Sequence, residues 1–118
     1  MTYLFEGEIM HRDSVGSEQA IRPGEVNWMI AGRGITHSER FERASREGGS
    51  MDGIQAWVAL PKEHEEADPS FEHYEAGVLP VLTDKGVRAR LIAELGQDPQ
   101  RLAAGDRGDP GLGIGRCA

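Results

Sequence analysis

The stretch Pro23-Gly24-Glu25-Val26-Asn27-Trp28-Met29-Ile30-Ala31-Gly32-Arg33-Gly34-Ile35-Thr36-His37-Ser38-Glu39-Arg40 carries more information than any other part of the chain. Pro23-Gly24 is the dipeptide for the centre of a type II turn, because Pro presets its own φ and Gly accepts a positive one. Val26 to Ile30 then reads as a strand, Gly32-Arg33-Gly34 punctuates, and Ile35 to Arg40 reads as the next strand. Side chains alternate along a strand, so His37 and Glu39, two positions apart, share one face. An imidazole nitrogen and a carboxylate oxygen on one face suit a divalent first-row ion such as iron or manganese. Ser38 points to the opposite face, which gives a Ser-His nucleophile poor geometry.

Working outward, residues 2 to 13 are rich in β-formers and broken by Glu6-Gly7-Glu8, which predicts an opening hairpin turning at Gly7. Ser14 to Gln19 reads as a polar turn. Ile54 to Leu60 is a further strand ended by Pro61, Lys62 to Asp68 is a charged connector, and Val78 to Leu82 with Val87 to Ile92 form a strand pair around Thr83-Asp84-Lys85-Gly86. Short strands separated by Gly and Pro turns, without an amphipathic helix before residue 93, predict an all-β antiparallel sandwich or small barrel.

Residues 1–93 form the expected domain. The 25 residues from 94 to 118 contain six Gly, two Pro and no aromatic residue, too little to bury, and they are expected to be a disordered tail. At 118 residues, one domain is the natural count. Thirteen Lys and Arg are scattered among twenty Asp and Glu for a net charge of −7, so no basic stripe exists to bind nucleic acid directly. No apolar run approaches a membrane span and no signal-peptide pattern opens the chain, which makes a soluble cytoplasmic protein the expectation. The single cysteine, Cys117, has no partner for a disulfide.

Two ligands are too few to hold a catalytic ion. His11 is the local candidate for a third, although a lone His on a strand is ordinarily a hydrogen-bonded structural residue. His64 and His73 lie among glutamates on what reads as a solvated connector, without metal-motif spacing. Gly32-Arg33-Gly34 lacks the residues that would complete a dinucleotide or phosphate loop and reads as a turn beside the pocket. Trp28 is expected to wall that pocket or to fill the core.

Thr2-Tyr3-Leu4-Phe5-Glu6-Gly7-Glu8, His11-Arg12-Asp13-Ser14, Pro23 to Met29, Ala31 to Ile35 with His37-Ser38-Glu39-Arg40, and Gln55-Ala56-Trp57-Val58-Ala59-Leu60-Pro61 together resemble the pirin family of the cupin superfamily. The resemblance runs from residue 2 to about residue 93. It implies a cupin fold, a double-stranded β-helix or jelly-roll barrel, here incomplete. Pirins are two-barrel proteins whose N-terminal barrel holds a metal, usually iron, through three His and one Glu. Some oxidise the flavonol quercetin with dioxygen and others are transcriptional co-regulators. By this resemblance His37 and Glu39 correspond to the third His and the Glu.

Two departures qualify it. The family's other two ligands lie in a His-Pro-His motif just before the strand at which this chain begins, and the continuation after Ala93 does not resemble a pirin. The expectation is therefore a truncated pirin-like cupin, with a frameshift near residue 94, that binds Fe(II) or another divalent metal weakly or not at all. A flavonol-like small molecule is the implied substrate class. A non-catalytic module that binds a basic protein partner is the alternative, and a gene fragment without separate function is a third. Missing strands would leave sheet edges open to self-association.

Overall fold

A computed structural model describes residues 1–93. The expected boundary after residue 93 and the expected disorder of 94–118 lie outside the described residues. The strands are β1 (Thr2–Glu6), β2 (Ile9–Asp13), β3 (Glu18–Ile21), β4 (Val26–Ile30), β5 (His37–Arg40), β6 (Asp52–Gln55), β7 (Ser70–Tyr74), β8 (Val81–Asp84) and β9 (Val87–Arg90), with one short helix, α1 (Glu42–Glu47), between β5 and β6. They assemble as a four-stranded sheet in the order β6-β1-β4-β7, a three-stranded sheet in the order β3-β2-β5 and a separate β8-β9 hairpin. Every strand pair is antiparallel.

The two larger sheets face each other. On the inner side of the four-stranded sheet the ladder places Gln55, Thr2, Asn27 and His73 in one row across β6, β1, β4 and β7. Leu4, two residues beyond Thr2, meets Ile9 and Ile21 of the opposing sheet in a buried apolar cluster. Burying side chains of this size contributes roughly 1.5 to 3 kcal/mol each. The His11 ring of β2 stacks on Phe71 of β7, with centroids 4.2 Å apart, and extends the contact between the sheets.

Several expectations are corrected. Residues 2 to 13 do not form a hairpin. β1 pairs with β4 and β6, whereas β2 pairs with β3 and β5, so the turn at Gly7 carries the chain from one sheet to the other. Gly7 has φ +90°, and a Cβ there would lie 2.9 Å from the Ser50 carbonyl oxygen, which explains why the crossing needs glycine. The strand expected over 54 to 60 occupies only Asp52–Gln55, and Trp57 beyond it is 94% exposed. β3 begins inside the stretch expected as a turn, and β7 lies in a segment whose glutamates suggested a solvated connector.

The last hairpin turns on Lys85 and Gly86 alone, both with positive φ of 46° and 83°, because Asp84 pairs with Val87. That two-residue loop matches the right-handed twist of the strands it joins. Helix α1 buries none of its residues, which is why no apolar periodicity announced it. Among the described residues no helix is long and apolar enough to cross a membrane.

Candidate metal centre

The β2-β5 ladder pairs His11 with Glu39 and Asp13 with His37. Since paired residues and their second neighbours share a face, these four side chains form a two-by-two block on the inner side of the three-stranded sheet. The His11 and His37 rings lie nearly parallel, 22° apart with centroids separated by 5.7 Å.

Half of the block is closed. His11 is 1% exposed, and its Nε2 donates to Asp13 Oδ2 at 2.8 Å. The other Asp13 oxygen accepts the backbone N–H groups of Val15 at 3.0 Å and Ser17 at 2.9 Å. Burial opposes ionisation of Asp13, but the hydrogen bonds from His11, Ser17 and Val15 outweigh it and hold the carboxyl below its ordinary value.

The other half is open. His37 is exposed, and among the described residues its ring nitrogens meet no hydrogen-bond partner. Glu39 reaches across to the four-stranded sheet, where Oε1 accepts from Thr2 Oγ1 at 3.2 Å and Oε2 accepts from Gln55 Nε2 at 2.7 Å. The Met1 ammonium stands close enough to feel Glu39. Burial lowers its pKa, and the carboxylate acts in the opposite direction.

His37 and Glu39 thus sit on one face, one nitrogen donor beside one oxygen donor, and their chemistry fits a divalent ion. They do not enclose one. Among the described residues no three His, Cys, Asp or Glu side chains converge as a metal-holding group. His11 lies in the same block, with one ring nitrogen, Nε2, bonded to Asp13.

Trp28 is not a wall of this site. Its neighbours in sequence, Asn27 and Met29, pair with His73 and Phe71 on the inner side, so the indole projects from the outer side with Tyr3, Val26 and Glu72. A cleft of about 140 Å³ adjoins Glu39, lined by Thr2, Leu4, Ile9, Met51 and Gln55 among others, and a more open hollow of about 530 Å³, lined by Arg40, Phe41, Glu42, Ser45 and Arg46, adjoins it as well. Ligand pockets typically measure ~300 to 1,000 Å³. His64 lies in a single 3-10 turn, Lys62–His64, away from the strands that carry the block.

Thr2, Gln55 and Asn27, to which the sequence assigns no site role, form one row with His73, which lies on strand β7 rather than on a solvated connector. His73 Nδ1 and Asn27 Oδ1 are 2.7 Å apart, and His73 Nε2 lies 3.7 Å from Glu25. Asn27 Nδ2 is buried without a partner among the described residues. Period-2 alternation puts Thr2 with Leu4 and Gln55 with Gly53, but only the pairing between strands lines them up as a row.

The pirin family model matches residues 1–58. A pirin-like protein of Caulobacter vibrioides is 66% identical over 94 residues, covering 79% of this chain and 33% of that protein. A pirin-like protein of Arabidopsis thaliana is 38% identical over 93 residues, 79% of this chain and 30% of its own length. The chain spans about a third of the length of these curated relatives. A crystal structure of a quercetin 2,3-dioxygenase from Acinetobacter baumannii superposes with a TM-score of 0.66 at 40% identity, covering 77% of this chain and 29% of that one. With two opposed antiparallel sheets and this degree of likeness, the chain belongs to the pirin family of cupins.

Proposed function

We propose that this pirin-family chain holds a divalent metal ion, iron by the family's habit, through His37 and Glu39, and that the lineage chemistry is dioxygenation of a flavonol such as quercetin. The observation that carries the reading is the placement of these two donors on one face of β5, one exposed and without a partner among the described residues, the other aimed between the sheets. A bound ion would supply Lewis acidity toward a substrate hydroxyl. His37 supplies a neutral nitrogen donor whose ring is steadied by His11. Glu39 supplies an anionic oxygen already turned inward by its two hydrogen bonds.

Two donors hold an ion weakly. Quercetin turnover by the chain is therefore not expected. Titration with Mn(II) or, anaerobically, Fe(II) should show weak binding that disappears in His37→Ala and in Glu39→Ala. Binding that survives in both variants would refute the site, and iron-dependent quercetin loss abolished by His37→Ala would refute the expected inactivity.

A second reading rests on a different observation. Trp57 is 94% exposed, and Val78 and Val87 are 65% and 67% exposed, so apolar side chains are presented to partners. In this reading the chain is a contact module that takes a basic protein or a second copy of itself. Sedimentation velocity distinguishes self-association, which Trp57→Ser should weaken; a monomer at all concentrations would leave a different protein as the partner.

A further inference from the structure

We propose that Thr2 and Gln55 are positioning residues for Glu39, holding its carboxylate at the inner face of the sandwich where it can share a cation with His37. This rests on the metal reading above. A free glutamate side chain explores several rotamers, and fixing one costs conformational entropy. Here that cost is met before any ion arrives, because each carboxylate oxygen has its own donor. Thr2 Oγ1 lies 3.2 Å from Oε1, and Gln55 Nε2 lies 2.7 Å from Oε2. The two donors are direct partners on β1 and β6, and Gln55 Nε2 lies 3.4 Å from Thr2 Oγ1, so they act as one unit.

The anchor belongs to the four-stranded sheet and the ligand to the other, so the pair of bonds also sets how far Glu39 reaches across the gap. Thr2 is only 6% exposed, which keeps its hydroxyl from exchanging Glu39 for water. Each carboxylate oxygen has two acceptor directions, and one hydrogen bond per oxygen leaves another for a cation. Loss of partners that orient a metal ligand typically weakens affinity by about 10- to 100-fold.

The same row supplies an internal control. Asn27 is the next partner of Thr2, but its side chain bonds His73 rather than Glu39. A change there should alter stability without altering the ligand.

The experiment is an NMR titration of the full chain with Mn(II), following paramagnetic broadening at His37 and Glu39, alongside urea unfolding of each variant. Thr2→Val and Gln55→Ala should each weaken binding by about tenfold or more. Thr2→Ser, which keeps the hydroxyl, should bind like the parent. Asn27→Leu should shift the urea midpoint and leave affinity alone. Gln55 is exposed on an edge strand, so Gln55→Ala keeps the test decisive if Thr2→Val fails to fold.

Parental affinity in both Thr2→Val and Gln55→Ala, with binding lost in His37→Ala and Glu39→Ala, would overturn this inference and spare the metal site. Parental affinity in His37→Ala and Glu39→Ala, or no binding by the parent, would overturn the metal site and this inference with it.

Discussion

His11 and His37 project from neighbouring strands with rings 5.7 Å apart, yet their surroundings could hardly differ more. His11 is 1% exposed, sandwiched against Phe71 and bonded to an enclosed Asp13, whereas His37 is exposed. A buried polar group must be satisfied or it costs stability, and Asp13 satisfies one ring nitrogen of His11. An exposed imidazole without a fixed partner contributes little to the fold and keeps its lone pair. Two histidines on one face therefore divide the labour. One is tied into the packing between the sheets and the other stands open to solvent.

The sharpest way to break this contrast is to remove Asp13. Asp13→Ala strands His11 and the Val15 and Ser17 N–H groups together, and should cost about 3 kcal/mol in urea unfolding. That is a large share of the ~5 to 15 kcal/mol of a typical domain.

Acid should act on the same carboxyl. Its native pKa lies below the ordinary 3.8, so the stability it contributes is present above that value and is lost as the pH falls through the depressed one. Unfolding should therefore steepen below about pH 3.8, and Asp13→Asn should flatten the profile there.

Glu39→Ala should be milder, about 1 to 2 kcal/mol, since it leaves the buried Thr2 hydroxyl without its acceptor while Gln55 turns to water. Smallest of all, His37→Ala should stay within about 0.5 kcal/mol by the same assay. A His37→Ala loss as large as that of Asp13→Ala would erase the distinction between the two histidines.

Legibility from the sequence followed the range of the interaction involved. The shared face of His37 and Glu39 was legible because alternation is a property of a single strand. The turns at Pro23-Gly24 and at Gly7 were legible for a similar reason, since glycine's backbone freedom is local. The error at Gly7 lay in where the chain went next. A hairpin and a crossing between sheets can use the same Glu-Gly-Glu bend, and only the competition for partners sends β1 to β4 and β6. Trp28 failed in the same way, because a strand's alternation separates its two faces without saying which one looks inward. β7 went unseen since Glu72 and Glu75, exposed in the structure, masked the alternation of Phe71 and His73. A strand His with a hydrogen-bonded role is legible at His11, but its bond to Asp13 depends on the β2-β3 turn that encloses the carboxylate.

What the sequence by itself determined was the family, the predominantly β character and the shared strand face of His37 and Glu39, because motif, strand propensity and alternation are written in neighbouring residues. What only the tertiary structure decided was the company those two keep: His11 and Asp13 across the ladder, and Thr2 and Gln55 across the gap between sheets. Thr2 stands 37 residues from Glu39 in the chain and within hydrogen-bond reach of it in the fold. Strand register and the opposition of two sheets bring such residues together, and both are settled by long-range packing that no local window contains.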